Sequence, residues 1–206
     1  MYLIQRFMRV FFDLLYHPFA FTYDFVAAAV SFGRWNDWVQ SVIPFVSGTR
    51  ILELGHGPGH LQLALTTRGL DSVAMDESAP MGRIAKRRLG NSHKLARAVT
   101  QKIPFAFETF DSVISTFPSE YIFDPQTSTE TYRVLRSGGK LIVLPVAFPT
   151  SGFLKWLYKV TGESPAALDE LLKERFKQPF IQAGFSVELK TIELKSSTLL
   201  IILATK

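Results

Sequence analysis

The chain has 206 residues, of which 47% are hydrophobic and 20% charged; this composition is typical of one folded domain with a sizeable core and excludes a disordered chain. It contains no cysteine, which excludes disulfides, thiolate metal sites and cysteine nucleophiles. The formal net charge is +5 at pH 7, without a long run of lysine and arginine. The densest basic cluster, from Arg83 to Arg88, is interpreted as the solvent side of a helix, with a phosphate or lipid-headgroup patch as the alternative.

The N-terminal segment, residues 1–33, is unusually apolar and aromatic. Charged residues interrupt it before any run reaches the ~20 residues that cross a bilayer, so neither a spanning helix nor a signal peptide is expected. We interpret residues 1–45 as a helical lid or cap of a single domain that spans 1–206. Within it, residues 1–16 are predicted to form an amphipathic helix that either caps the core or lies on a membrane surface. Its apolar stripe consists of Leu3, Phe7, Val10, Phe11 and Leu14.

Strand and helix patterns alternate from residue 50 onward. Helices are predicted at 60–69, at 78–90 and at 128–139, each ending at glycine. Alternation of this kind predicts a parallel sheet covered by helices on both faces. The strands of this part are predicted at 50–54, 71–76, 94–99, 110–116 and 140–146.

The last part of the chain is predicted to add one helix and two strands. The helix begins at Ser164–Pro165 and is expected to kink or restart at Pro179. The strands, 184–194 and 197–206, share only a tight turn and must therefore be antiparallel. The predicted fold class is α/β: a seven-stranded, mostly parallel, Rossmann-like sheet with helices on both faces and an antiparallel last strand.

Three glycines at alternate positions, Gly55, Gly57 and Gly59, follow the first strand. Ligands of such sheets bind outside the carboxyl ends of the strands, and glycine lets a ligand approach the backbone there. A dinucleotide-binding loop needs its third glycine where this chain has His60, which disfavours a nicotinamide oxidoreductase. The pattern is instead acidic-x-Gly-x-Gly-x-Gly, with Glu53 as the acidic residue.

Four segments in order resemble the class I S-adenosylmethionine (SAM)-dependent methyltransferase family, and the resemblance covers most of the chain after about residue 45. They are "LELGHGPG" (52–59), the acid Asp76 at the end of the second strand, "IPFAFETFDSVIST" (103–116) and "ETYRVLRSGGKLIVL" (130–144).

The resemblance implies SAM as the cofactor, with no metal. Backbone N–H groups of the glycine loop suit the carboxylate of SAM, while Glu53 and Asp76 suit its positive charge and its ribose hydroxyls. Many relatives place an acid near the adenine, but this chain has none from Leu95 to Phe105. Thr100 or Gln101 is expected to substitute there, with a contact through the backbone alone as the alternative, and Thr116 completes the predicted cofactor site.

The acceptor side is expected after the fourth strand, in "STFPSEYIFD" (115–124). Methyl transfer from a sulfonium depends mainly on positioning, so a general base is needed only for a protonated acceptor. Glu120 is the candidate base, with a plain surface carboxylate as the alternative. The Asn-Pro-Pro-Tyr-like motif of amino-methylating relatives is absent, so a nucleic-acid acceptor is not expected.

Aromatic residues in the predicted lid favour a flat or lipophilic acceptor, such as a quinone, a phenol or a lipid. Residues that simply fill the core are the alternative reading. The residues are Tyr23, Trp35 and Trp38.

Taken together, the sequence predicts a SAM-dependent methyltransferase that acts on a small or lipophilic acceptor in the cytoplasm. Peripheral membrane contact is expected through residues 1–16. The alternative from another class is a protein of the same fold that binds SAM or a membrane surface without catalysis.

Overall fold

The computed structural model describes residues 22–90, 93–149 and 170–206. The helix predicted at 1–16 and the helix start predicted at Ser164 lie outside these residues.

The described chain builds one seven-stranded sheet with strand order β3-β2-β1-β4-β5-β7-β6. The pairs among β1 to β5 are parallel, while β7 runs antiparallel to both β5 and β6. This confirms the predicted fold class. The strands are β1 (Ile51–Leu54), β2 (Ser72–Asp76), β3 (Lys94–Arg97), β4 (Phe110–Thr116), β5 (Leu135–Pro149), β6 (Ser186–Leu194) and β7 (Ser197–Thr205).

Two of the helices begin at residues whose side chains cap the helix N-terminus. The Ser78 hydroxyl accepts the Met81 N–H at 3.3 Å, and the Asp124 carboxylate accepts the Gln126 N–H at 2.8 Å, each at a helix N-terminus. The helices are α1 (Tyr23–Ser31), α2 (Trp35–Gln40), α3 (His60–Thr66), α4 (Ala79–Leu89), α5 (Pro125–Val134) and α6 (Glu170–Gln182), with 3-10 turns at Ile43–Phe45 and Glu120–Phe123.

One of the helix predictions was wrong in its bounds. The helix predicted at 128–139 begins at Pro125 and ends at Val134, and the chain is already in β5 at Leu135. Glycines 138 and 139 end no helix; their backbone groups exchange hydrogen bonds with the C-terminal Lys206 at 3.0 Å. The last helix is one element, Glu170–Gln182, with Pro179 inside it, so the chain does not restart there.

Alternation along β1 divides the core into two layers. Leu52 and Leu54 pack with residues of α5 and α6, while Ile51 packs on the opposite face with Leu61 of α3. Glu53 shares the face of Ile51 by the same alternation, so a carboxyl group is buried beneath α3. None of the helices in the described part of the chain is long and apolar enough to cross a membrane.

Candidate cofactor and acceptor site

The glycine loop lies at the carboxyl end of β1 and folds over the end of β2. The N–H groups of Gly55 and His56 both donate to the Met75 carbonyl, at 2.8 and 3.2 Å. Gly59 then starts α3 in a left-handed conformation, with φ of 87°. The loop is therefore held at the edge of the sheet where ligands of this fold class bind.

The three glycines are needed for different reasons. A Cβ on Gly55 would lie 2.2 Å from the Tyr121 hydroxyl oxygen, and one on Gly59 would lie 2.9 Å from Leu89 Cδ1. A Cβ on Gly57 would meet no atom within 4 Å. Gly55 and Gly59 thus make room for side chains of the protein itself, and Gly57 is the glycine of this loop that faces open space.

Asp76, the last residue of β2, accepts backbone hydrogen bonds from the glycine loop and from the start of the next helix. Its Oδ2 accepts the Gly57 N–H at 2.8 Å, and its Oδ1 accepts the Ser78 N–H at 2.8 Å. A carboxylate offers about four lone-pair sites, so each oxygen keeps capacity for one more donor. The half-buried Asp76 side chain can therefore fix the loop and still accept hydroxyl groups from a ligand.

Glu53 is a buried acid with an unusual protonation state. It is 1% exposed, and its Oε2 accepts from Gln62 Nε2 at 2.7 Å. The Gln62 side chain is itself oriented by the Ser72 hydroxyl, which donates to Gln62 Oε1 at 2.9 Å. Burial raises the pKa of Glu53 to about 8; the Gln62 hydrogen bond opposes this, and the charge of Asp76 adds to it. The Glu53 carboxyl therefore carries a proton in most molecules at neutral pH.

Two hydroxyl groups meet where β4 approaches the loop. Ser115 Oγ and Tyr121 Oη lie 2.9 Å apart, and each is within hydrogen-bonding distance of the Leu54 carbonyl, at 2.9 and 3.1 Å. The Tyr121 ring packs against the core, while its hydroxyl fills the space beside Gly55. The sequence placed Tyr121 only within the predicted acceptor-side segment 115–124, and nothing in it indicated the contact with Gly55.

Phe117, the residue directly after β4, adopts a left-handed conformation with φ of 49°. Such a conformation is strained for a bulky side chain and marks a position of interest. The Phe117 N–H donates to the Leu144 carbonyl at 2.7 Å, and its ring stacks on Trp35 of α2 with centroids 4.4 Å apart. The segment predicted to be the lid and the segment predicted to be the acceptor side thus meet in a stacked aromatic pair.

Trp38 and Tyr23, the other two aromatic residues of the predicted lid, are both buried. Trp38 is buried, and its Nε1 donates to Ser197 Oγ at 2.9 Å, so this residue fills the core. Tyr23 is 9% exposed and meets Trp35 edge-on at 5.9 Å.

The lid helix α1 is tied to the glycine loop by charged groups. Asp24 contacts His60 Nε2 at 2.9 Å and forms an ion pair with Arg88, which also donates to the Pro58 carbonyl at 2.7 Å. Burial alone would raise the pKa of Asp24, but the His60 hydrogen bond and the Arg88 charge outweigh it and lower that pKa. Burial is the main cause that lowers the pKa of His60.

The remaining predicted site residues lie around the same edge of the sheet and stay predictions. Thr100 Oγ1 is 2.9 Å from Thr127 Oγ1, and Gln101 Nε2 donates to Asp124 Oδ2 at 3.1 Å. Thr116 is half-buried at the end of β4, and Glu120 is exposed at the start of a 3-10 turn. Within residues 22–90, 93–149 and 170–206, no group of three or more His, Asp or Glu side chains could hold a metal ion.

Comparison with known families identifies the class. A family model described as "Methyltransferase domain" matches residues 52–143, which contain the glycine loop and Asp76. A demethylmenaquinone methyltransferase of Thermus thermophilus is 33% identical over 147 residues, which are 67% of this chain and 67% of the relative. The chain therefore belongs to the class I SAM-dependent methyltransferase family.

Another curated relative agrees with this membership. A demethylmenaquinone methyltransferase of Renibacterium salmoninarum is 33% identical over 140 residues, covering 66% of this chain and 59% of the relative. The chain spans 59% to 63% of the length of the first curated relatives it matches.

Among solved structures, a SAM-dependent methyltransferase from Mesorhizobium loti aligns with a TM-score of 0.57 at 16% identity, over 84% of this chain and 97% of that one. The phosphoethanolamine N-methyltransferase 2 of Haemonchus contortus, solved with phosphomonomethylethanolamine and S-adenosylhomocysteine, aligns with a TM-score of 0.60 at 17% identity, over 84% and 53%. At these identities the likeness supports the fold alone.

Proposed function

We propose that this chain transfers a methyl group from SAM to a small lipophilic acceptor of the quinone type. The observation that carries the proposal is the space left at Gly57, whose N–H is held by the carboxylate of Asp76, with the buried acid Glu53 close enough to feel the charge of Asp76. Two acids beside a glycine loop with room for a ligand suit a molecule that bears hydroxyl groups and positive charge. The residues present therefore fit SAM, which supplies the reactive methyl group.

The residues of this chain bind and orient the two reactants. Asp76 accepts ribose hydroxyls with its free lone pairs, and Gly57 lets the ligand reach the backbone. The positive charge of the ligand favours the ionised form of Glu53, which strengthens binding from beneath the loop. Gly55, Gly59, Thr100, Gln101 and Thr116 are retained as further cofactor contacts.

The acceptor class follows from the relatives and from the lid. Relatives are named demethylmenaquinone methyltransferase and ubiquinone/menaquinone biosynthesis C-methyltransferase, so a quinone-type ring is the acceptor that we infer for this chain. The stacked rings of Trp35 and Phe117 offer a flat apolar wall beside β4 for such a ring. Transfer to a ring carbon forms a C–C bond, breaks the S–C bond and releases one proton from that carbon. Glu120 is retained as the candidate base for it.

The lid segment 1–45, the single domain 1–206, a cytoplasmic location and peripheral membrane contact through residues 1–16 belong to the same proposal. They place the enzyme where a lipophilic acceptor would be found.

Formation of S-adenosylhomocysteine tests the proposal. The full chain is incubated with SAM and a reduced demethylnaphthoquinone that carries a short isoprenoid tail, and Gly57→Val serves as the control that lacks the cofactor. We expect product with the full chain and none with the variant. If SAM binds but neither this acceptor nor a lipid extract yields S-adenosylhomocysteine, the protein binds SAM without catalysis and the proposal fails.

A further inference from the structure

A cavity of about 350 Å³ lies between the segment that precedes β1 and the last strands of the sheet. Its floor is formed by residues of β5, β6 and β7, and residues 44–47 form a wall that includes Phe45 and Val46. A volume of this size is at the lower end of the range that holds small molecules in proteins.

The cavity lies at the end of the sheet opposite to the glycine loop. Its residue Lys140 in β5 pairs with Ser112 of β4, which pairs in turn with Ile51, the first residue of β1. The glycine loop instead follows Leu54, the last residue of β1. None of the residues proposed to bind SAM lines the cavity, so it is a separate site.

Three hydrogen-bond donors stand in one row on the cavity floor. Lys140 pairs with Thr205 of β7, and Thr205 pairs with Ser186 of β6. Paired residues of neighbouring strands project from the same face of a sheet, about 5 Å apart, so the ammonium group and the two hydroxyl groups reach the same space. Within residues 22–90, 93–149 and 170–206, these three side chains form no ion pair or hydrogen bond.

The charge of the cavity favours an anion. The one acid among its lining residues, Glu188, forms an ion pair with Lys190 at 3.5 Å. The Lys190 ammonium also lies over the Phe45 ring, 5.6 Å from its centroid. Lys140 is half-buried and has no such partner among the described residues, so the lining carries one positive charge that no acid balances.

We propose that this cavity binds the phosphate group of a small molecule that also has an apolar part. A phosphate group presents three strong acceptor oxygens to the ammonium group and the two hydroxyls, and hydrogen bonds of this charged kind are the strong ones. A carboxylate has only two oxygens for the same three donors. Phe45, Val46 and Leu203 give the cavity an apolar wall for the rest of the molecule. The site does not depend on the proposed function, because it shares no residue with the cofactor site.

An NMR titration of the full chain at constant ionic strength tests the site. The probes are phenyl phosphate, inorganic phosphate and benzoate, which has the same ring with a carboxylate in place of the phosphate. We expect saturable shifts of the Ser186 and Thr205 amide signals, with phenyl phosphate bound more tightly than either of the other two. Saturating S-adenosylhomocysteine should leave these shifts unchanged, because the cofactor loop lies at the other end of the sheet.

Three variants have effects of predicted sign on the affinity for phenyl phosphate. Lys140→Gln keeps a long side chain without the charge, so binding should weaken about tenfold or more. Thr205→Val keeps the shape without the hydroxyl, and a loss of about two- to tenfold is expected. Glu188→Gln removes the negative charge and should tighten binding by about two- to fivefold. Lys86→Gln is the matched control, because Lys86 is exposed on α4 and does not line the cavity.

Absence of saturable shifts with phenyl phosphate would overturn the site. So would an equal loss of affinity in Lys140→Gln and Lys86→Gln, which would show attraction to the net charge of the protein only. Displacement of phenyl phosphate by S-adenosylhomocysteine would place the binding in the cofactor site instead, and benzoate bound as tightly as phenyl phosphate would refute the assignment of a phosphate group. The dispersion of the same spectra shows whether each variant is folded.

Discussion

Cofactor binding should release a proton from Glu53. In the free protein this carboxyl is buried, and its pKa of about 8 means that about nine in ten molecules carry the proton at pH 7. A bound cation near Gly57 stabilises the ionised carboxyl and lowers this pKa. By linkage, the association constant for SAM should rise with pH by up to tenfold per unit below about pH 8 and should level off above it.

The variant Glu53→Gln measures how strongly SAM binding is coupled to loss of the Glu53 proton. The amide has the shape of the protonated acid and can still accept the Gln62 hydrogen bond, so the variant resembles the wild type at acidic pH. Each unit by which the ligand lowers the Glu53 pKa contributes ~1.4 kcal/mol of affinity above pH 8. We therefore expect SAM affinity near that of the wild type at about pH 6 and a roughly ten- to hundredfold loss at about pH 9.

The same group predicts how stability depends on pH without ligand. Its folded pKa is raised from 4.5 to about 8, so the folded state holds the proton more tightly than the unfolded state. The contribution to stability is fully present below pH 4.5 and is lost as the pH rises through about 8. The loss is on the order of 5 kcal/mol at most, and it should be absent in Glu53→Gln.

Calorimetry of SAM binding in two buffers of different ionisation enthalpy measures the number of protons released. Glu120→Gln is the control, because it removes an exposed carboxylate on the acceptor side and should leave the pH slope unchanged. A wild-type affinity that is flat from about pH 6 to about pH 8, or an equal loss in Glu53→Gln at both ends of the range, would refute the reasoning.

Three further variants probe the rest of the site. Gly57→Val places a branched side chain in the open space of the loop, so calorimetry should show SAM binding lost in a protein that circular dichroism finds folded; unchanged affinity would remove Gly57 from the site. Asp76→Ala should weaken SAM by ~1.5–3 kcal/mol, roughly ten- to hundredfold, while a dissociation constant within twofold of wild type would leave Asp76 a purely structural role. Phe117→Gly relieves a left-handed conformation but removes the stack on Trp35, so KM for the quinone acceptor should rise several-fold with SAM affinity unchanged; an unaltered KM would show that this ring does not contact the acceptor.

The glycine loop and its two acids could be predicted from the sequence because their signals are local. Glu53 lies two residues before Gly55, and Asp76 ends the next strand, so strand alternation and spacing place both acids at one edge of the sheet. The same locality explains why β1, β2 and β4 were predicted within one residue of their observed bounds.

Features that depend on distant contacts could not be predicted in this way. The Tyr121 hydroxyl fills the space that Gly55 leaves, although the two residues are 66 positions apart in the sequence. The segment 135–139 looked helical because it continues the pattern of α5, but it pairs with β4 and with the C-terminal Lys206 instead. The stack of Phe117 on Trp35 likewise joins two segments whose separate patterns say nothing of each other.

Glu53, the first acid of the glycine motif, is buried, although the sequence predicted it as a direct ligand of the cofactor. Glu53 faces α3 beneath the loop, and its partner is Gln62. Asp76 already uses both of its oxygens to hold Gly57 and Ser78, and its charge helps to keep the proton on Glu53. In the protein without ligand, Asp76 is therefore charged and Glu53 is mostly protonated, which limits the electrostatic repulsion between the two carboxyl groups. Under the proposed function, the positive charge of bound SAM would remove that constraint, so that Glu53 would lose its proton when the ligand binds while Asp76 would accept the ligand's hydroxyl groups.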